Sequence, residues 1–98
     1  MAYALIYVFE NVGESHYWAV NQRLGIGRDG SGDWPAGLIS HVGGPTPTGW
    51  VVSEVWDSKA AQQGFMNARL GAALADVKVP PPVQIIETTA AHSFLRRA

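Results

Sequence analysis

Four stretches of the chain carry the β-branched and aromatic residues typical of strands, and two others show helical spacing of apolar side chains. The first stretch, Tyr3 to Glu10, is almost continuously apolar, which predicts a central strand covered on both faces. Strands are also predicted from Gly37 to Val42 and from about Gly49 to Trp56, joined by a loop rich in glycine and proline. The last strand is predicted from Val83 to Thr88, after an extended proline-rich linker.

Two helices are predicted between these strands. The first begins near Ser15, and a pair of glycines ends it. The second runs from about Ser58 to Ala75, where Asp57 or Ser58 can accept hydrogen bonds from the free N–H groups of the first turn. A glycine inside a helix costs roughly 1 kcal/mol relative to alanine. Gly71 therefore predicts close packing or a break near that point.

The order of elements predicts one α+β domain over residues 1–98 with the ferredoxin-like β-α-β-β-α-β arrangement. Its four-stranded antiparallel sheet would carry both helices on one face. The opposite face would be apolar whichever way the first strand is turned, because both sets of alternate residues are apolar: Tyr3, Leu5, Tyr7 and Phe9, or Ala4, Ile6 and Val8. An apolar face of this kind marks an interface, so we expect a homodimer packed sheet to sheet.

Composition narrows the possible partners. Only 15% of the 98 residues are charged and the formal net charge is −1, which gives no electrostatic reason to expect nucleic acid or an anionic membrane as a partner. The absence of cysteine excludes disulfides, thiolate catalysis and cysteine-ligated metals. No basic leader and no apolar run long enough to span a membrane is present, so we expect a soluble cytoplasmic protein.

Two polar residues on the predicted strands are candidates for catalysis. Glu54 lies among valines and tryptophans, and burial would make its carboxylate a better general base. The alternative is an ion pair with Arg69 or Arg23. His41 is expected to share one face of its strand with Ile39 and Gly43. A histidine in a cavity can move protons near neutral pH. Its alternative is a core histidine bonded to backbone or to a dimer mate.

The other candidates have stronger structural explanations. Trp56 shares a strand face with Glu54, and a tryptophan at a strand end serves as core, as a pocket wall, or as both. His16 starts a helix and is expected in solvent, whereas His92 lies in the tail, which could fold over a pocket. Three scattered histidines provide no spacing typical of a metal site, so no metal or other cofactor is predicted.

The chain resembles the dimeric α+β barrel superfamily, and within it the branch similar to antibiotic-biosynthesis monooxygenases. The residues that carry the resemblance are Glu54-Val-Trp-Asp-Ser-Lys-Ala-Ala61, Phe65 and the helix end Arg69-Leu-Gly-Ala-Ala-Leu74. The segment Trp34-Pro-Ala-Gly-Leu-Ile-Ser-His-Val-Gly-Gly-Pro45 is also similar to a small actinobacterial subgroup. The resemblance implies a ferredoxin-like protomer, sheet-packed dimers and a pocket between sheet and helices.

Members of this superfamily include cofactor-independent oxygenases acting on polyketide phenols, haem-degrading enzymes and isomerases. The resemblance implies that Trp56 matches the tryptophan lining the oxygenase pocket. Haem degraders also need a histidine on the second helix, where this chain has Phe65, Met66 and Asn67. They need an asparagine on the first strand as well, where this chain is apolar. Haem degradation is therefore not expected.

Two functional hypotheses follow. The first is an enzyme whose pocket is lined by Tyr7, Tyr17, Trp56, Phe65 and His92. In it His41 or Glu54 would take a proton from a small phenol or enol, followed by direct reaction with O₂ or by isomerisation. The second is a non-catalytic module that binds a small molecule or holds a dimer together. Convergence of His41 and Glu54 on one cavity would favour the enzyme, whereas separate salt bridges would favour the module.

Overall fold

A computed structural model describes residues 2–90, 92 and 94. Its strands and helices follow the predicted order, and the long second helix contains a π-helical turn between two α-helical segments. In chain order the elements are β1 (Tyr3–Glu10), α1 (Glu14–Leu24), β2 (Leu38–Pro45), β3 (Gly49–Trp56), α2 (Lys59–Phe65), the π-turn (Met66–Leu70), α3 (Gly71–Val77) and β4 (Gln84–Thr89).

The four strands form one antiparallel sheet in the order β2-β3-β1-β4, with β1 in a central position. Alternate residues of β1 are buried toward the helices: Tyr3, Leu5, Tyr7 and Phe9. The same parity on β3 buries Trp50, Glu54 and Trp56. The predicted ferredoxin-like α+β fold is confirmed.

The second strand differs from the prediction in length and in facing. It continues to Pro45 instead of stopping at Val42, because β2 is an edge strand, where a proline is tolerated. A bulge between Leu38 and Ser40 adds one residue to the pairing with β3. Ile39 was expected to share a face with His41, but the bulge turns it outward and leaves it 44% exposed.

Helix ends follow the predicted chemistry. Gly25 ends α1 in the left-handed conformation at φ 77°, and its N–H bonds to carbonyls of the last turn. Ser58 caps α2, its hydroxyl accepting a hydrogen bond from the Ala61 N–H at 3.1 Å. Of the two alternatives predicted near Gly71, the structure shows a break, since the π-turn ends directly before this residue and the Gly71 N–H bonds to the Met66 carbonyl.

Among the described residues, no helix packs on the outer face of the sheet, and part of this face is exposed to solvent. The register places fourteen residues on it, and Glu10 at the end of β1 is the one among them that carries a charge: Ala4, Ile6, Val8, Glu10, Ser40, Val42, Gly44, Gly49, Val51, Ser53, Val55, Gln84, Ile86 and Thr88. Val42 is 67% exposed and Ile86 is 47% exposed. The two sides of the sheet therefore differ, one packed by helices and the other an open apolar surface.

Arg69, in the π-turn, connects this turn to the C-terminal end of α1. One guanidinium nitrogen, Nη2, donates to the Leu24 carbonyl at 2.7 Å and to the Asp33 carbonyl at 3.0 Å, and it lies 3.1 Å from an Asp33 carboxylate oxygen. The guanidinium carbon is 5.4 Å from the ring centre of Phe65. Arg69 therefore joins the helix pair to the loop before β2.

Replacing Arg69 by methionine should destabilise the protein by about 1–3 kcal/mol, because the carbonyl at the end of α1 loses its donor. The measurement is the free energy of unfolding in urea. Arg23→Met is the matched control, since Arg23 and Asp76 form an exposed pair 3.6 Å apart that should contribute about 1 kcal/mol or less. Equal losses in the two variants would contradict this role for Arg69.

Two buried tyrosines make the free energy of unfolding depend on pH in the alkaline range. The Tyr3 hydroxyl donates to Glu87 on β4, and burial together with this carboxylate raises the pKa of Tyr3 to about 12. Burial, and then the negative charge of Glu54, raises the pKa of Tyr7 above its ordinary value. Both phenols are therefore held neutral in the folded protein.

The free energy of unfolding should fall as the pH rises above about 10, where tyrosine ionises in the unfolded chain but not in the fold. Below that pH the contribution of both phenols is fully present. The measurement is urea unfolding at several alkaline pH values, and Tyr3→Phe and Tyr7→Phe should each flatten the dependence. Lys59→Met is the control, because it removes the charge 3.6 Å from Glu87 and leaves both phenols in place, so the alkaline dependence should remain. An unchanged slope in both phenylalanine variants would refute the assignment.

Candidate functional site

A cavity of about 300 Å³ lies between the sheet and the helices. Its wall is mostly apolar and includes Phe9, Val20, Leu24, Trp34, Trp50, Phe65, Met66 and Leu70, with Tyr7, Tyr17, His41 and Glu54 among the polar members. This volume lies at the lower end of the range for small-molecule sites, and a few converging polar groups on apolar walls are typical of such sites. A second, more open pocket adjoins it and shares Tyr17 and His41.

His41 and Glu54 meet at the wall of this cavity. They are direct partners in the register of β2 and β3, which places both on the helix-facing side of the sheet. His41 Nδ1 lies 2.8 Å from Glu54 Oε2, and their side chains are 14% and 7% exposed. Glu54 therefore pairs with histidine, and neither Arg69 nor Arg23 is its partner, since both pair with aspartates.

Glu54 accepts a second hydrogen bond, from the indole N–H of Trp56 at 3.1 Å. A buried carboxylate needs such donors because desolvation of its charge is costly. With both oxygens occupied as acceptors, the bond network assigns the proton to Nδ1 of His41. Nε2 of the neutral ring is then an acceptor.

That acceptor is occupied by Tyr17. The Tyr17 hydroxyl lies 2.6 Å from His41 Nε2, and the two rings are nearly parallel with centres 5.9 Å apart. Gly43 makes this possible, because a Cβ there would lie 2.8 Å from the Tyr17 ring. The chain Tyr17–His41–Glu54–Trp56 is thus continuous from α1 across two strands.

The cavity brings together most of the residues expected there. Tyr7, Tyr17 and Phe65 line it together with His41 and Glu54. Trp56 is fully buried beneath the wall instead, where it packs on Phe65 at 5.7 Å between ring centres and contacts the site through Glu54. His92 is exposed and does not line the cavity. His16, expected in solvent, accepts a hydrogen bond from the Gly13 N–H at 3.1 Å.

Sequence analysis missed several members of the site. Trp50 has the same strand parity as Glu54, so alternation alone could have found it. Its ring centre lies 5.0 Å from that of Tyr17, and among the described residues its indole N–H is the buried side-chain polar group without a partner. Trp34 comes from an irregular loop and lies 5.2 Å from His41 between ring centres, a contact without any periodic signal.

Gln62 was also missed. Its amide donates to the Tyr7 hydroxyl at 2.7 Å inside the protein. Asn21 is buried and lines the cavity.

Within the described part of the chain, no three histidine, cysteine, aspartate or glutamate side chains converge to hold a metal. No helix among the same residues is long and apolar enough to cross a membrane.

Comparison with known proteins adds information on the fold. No protein-family profile matches the chain, and no curated protein matches it either. A solved structure from Chloroflexus aurantiacus J-10-fl, assigned provisionally as an antibiotic biosynthesis monooxygenase, matches with a TM-score of 0.68 at 19% identity, over 96% of this chain and 97% of that chain. A Deinococcus radiodurans structure with the same provisional assignment matches with a TM-score of 0.56 at 13% identity over the full length of both chains.

At these identities the comparisons show the fold and not the activity. The chain shares its ferredoxin-like α+β fold with proteins that resemble antibiotic biosynthesis monooxygenases.

Proposed function

We propose that this protein is a monooxygenase-like or isomerase-like enzyme that removes a proton from a small aromatic or enolic molecule. The observation that carries the proposal is the His41–Glu54 pair, 2.8 Å apart at the wall of an apolar cavity. The shared fold with the two provisionally assigned monooxygenases supports the same class. The segment Trp34 to Pro45 supports placement in the actinobacterial subgroup, and we expect a cytoplasmic location.

The geometry suits proton removal for three reasons. The apolar wall keeps water from competing for the proton and strengthens electrostatic interactions within the cavity. Aromatic side chains on several sides can orient a planar ring. The buried carboxylate of Glu54 stabilises the imidazolium that forms when His41 gains a proton.

The resulting anion is electron-rich and needs no cofactor to continue. In the oxygenase reaction it transfers electrons to O₂, one oxygen atom becoming a carbonyl of the product and the other leaving as water with two hydrogens. In the isomerase reaction a proton binds a carbon of this anion in place of the oxygen that lost it, which gives the tautomer, and no electrons are lost to an oxidant. Both outcomes begin with the same proton transfer.

Oxygen uptake and product formation should be screened with phenols, quinols and enolic metabolites. Replacing His41 by alanine should lower turnover by about 10²–10⁴-fold, the usual contribution of a general base, and should change the pH profile of the rate. His92→Ala is the matched control, because His92 is exposed and outside the cavity.

Full activity and an unchanged pH profile in His41→Ala would reject the role of this histidine. Binding of ring compounds without any turnover would favour the alternative, a non-catalytic module that binds a small molecule. The convergence of His41 and Glu54 on one cavity favours the enzyme over that module.

The open sheet face supports a second proposal, a homodimer packed sheet to sheet. The fourteen residues defined above, uncharged except for Glu10, form this face, and Ile6 lies at its centre, paired with Ser53 on one side and Ile86 on the other. Packing a second copy against this face would remove apolar surface from water. Such burial stabilises a dimer by about 25 cal/mol per Å² of apolar area. An uncovered surface of this kind is rare in monomers.

Ile6→Lys should therefore convert a dimer to a monomer, as measured by sedimentation velocity or light scattering. A charge at the centre of the seam would be buried against its own copy, which is unfavourable. Gln63→Lys, on an exposed position of α2, is the control and should remain dimeric. A monomeric wild-type protein, or a dimeric Ile6→Lys variant with native circular dichroism, would contradict this seam.

A further inference from the structure

His41 has no free nitrogen with which to contact a molecule in the cavity. Nδ1 is bonded to Glu54 at 2.8 Å, and Nε2 is 2.6 Å from the hydroxyl of Tyr17. A ligand could reach His41 directly only by displacing one of these partners. Tyr17 and His41 both line the cavity and the adjoining open pocket, but the Tyr17 hydroxyl, which donates to Nε2, can still accept a hydrogen bond from a ligand.

We propose that Tyr17 is the catalytic residue that contacts the ligand, and that a proton leaving a phenolic or enolic hydroxyl passes through the Tyr17 oxygen to His41. This inference rests on the proposed function and specifies which atom faces the substrate. His41 and Glu54 then act behind Tyr17, as proton acceptor and as stabiliser of the imidazolium.

The transfer balances without any oxidant. The ligand O–H bond breaks as its proton binds Tyr17 Oη, and the original Tyr17 O–H bond breaks as that proton binds His41 Nε2. The ligand keeps the electron pair as an oxyanion. The positive charge rests on His41, next to the carboxylate of Glu54.

The same step reverses the hydrogen bonds around Tyr17. Before transfer Tyr17 donates to His41 Nε2, so its oxygen can accept the hydroxyl hydrogen of the ligand. After transfer the imidazolium donates to Tyr17, whose own hydrogen then points to the oxyanion. The arrangement therefore favours ligands that bear an ionisable hydroxyl over their ethers, and it stabilises the anion once formed.

Tyr17 is held in this position by packing on several sides. Its ring centre lies 5.1 Å from Trp18 and 5.0 Å from Trp50. On the strand side, a Cβ at Gly43 would lie 2.8, 2.9 and 3.1 Å from Cε1, Cζ and Oη of Tyr17. Gly43 is therefore a positioning residue, since any side chain there would move the tyrosine away from His41.

The test uses 4-nitrophenol and 4-nitroanisole, which differ by one methyl group on the oxygen. Calorimetric affinities are measured for the wild type, Tyr17→Phe, Gly43→Ala and the control Gly64→Ala, an exposed helix position where an added Cβ meets nothing within 4 Å. The wild type and the control should bind the phenol about tenfold more tightly than the ether, as expected for one hydrogen bond. Tyr17→Phe and Gly43→Ala should lose this preference while still binding the ether.

Absorbance of the bound nitrophenol gives a second readout, because its ionised form is coloured. The wild type should ionise the bound probe at a lower pH than the free probe, and Tyr17→Phe should not. Retention of both effects in Tyr17→Phe together with their loss in His41→Phe would overturn the inference and assign the contact to His41. Absence of any preference in the wild type would also overturn it.

These outcomes are separate from those that test the proposed function. Turnover can fail while the phenol preference and its loss in Tyr17→Phe remain, and in that case Tyr17 would be the anchor of a binding module. Turnover can also succeed with Tyr17→Phe fully active, which would reject Tyr17 and leave the enzyme in place.

Discussion

The buried carboxylate of Glu54 is the constraint on which the rest of the site depends. A charge with only 7% of its side chain exposed requires hydrogen-bond donors, and it receives them from His41 and Trp56. Both donors lie on the same sheet face as Glu54, one on its own strand and one directly opposite on β2. A slip of one residue in the pairing of β2 with β3 would turn His41 outward and leave the carboxylate without its partner.

The bulge in β2 allows Leu38 to line the cavity while His41 stays opposite Glu54. Leu38 and His41 both line the cavity, although residues three apart on a regular strand point to opposite faces. The extra residue between Leu38 and Ser40 restores their common facing, and Ile39 is turned outward as a result. Bulges near functional sites re-aim side chains in this way. Leu38 thereby extends the apolar wall, and His41 keeps its place opposite Glu54.

The order of elements could be predicted because strand and helix periodicities differ strongly along this chain. The junction from Trp56 to Ser58 marked a strand end and a helix cap, and both are present. The facing of Ile39 could not be predicted, since nothing in the local composition signals the bulge. The partner of Glu54 was also missed, because charge alone suggested arginine, whereas the register placed histidine opposite.

The site residues show the same division. Those on regular elements, such as Tyr17 and Phe65, were predicted to line the pocket, and they do line the cavity. Trp34 depends on the fold of a loop, in which its indole N–H donates to the Gly30 carbonyl at 2.8 Å. Trp56 had the expected facing but lies one layer deeper, fully buried under Phe65. Periodicity predicts the face on which a side chain lies, while depth depends on what packs above it.

Two tyrosines line the cavity, and the hydrogen-bond partners of their hydroxyls give them different properties. Tyr7 accepts a hydrogen bond from the Gln62 amide, and burial and the nearby Glu54 charge raise its pKa. It is held neutral, and the hydrogen-bond partner of its oxygen is an amide, which does not take up a proton. Tyr17 is bonded to an imidazole whose far nitrogen is backed by a carboxylate. A proton that reaches Tyr17 can therefore move on to a base, whereas one that reaches Tyr7 cannot. The two phenols differ in the partner of the hydroxyl, which is an amide for Tyr7 and an imidazole bonded to a carboxylate for Tyr17. This difference makes Tyr17 the group suited to proton transfer.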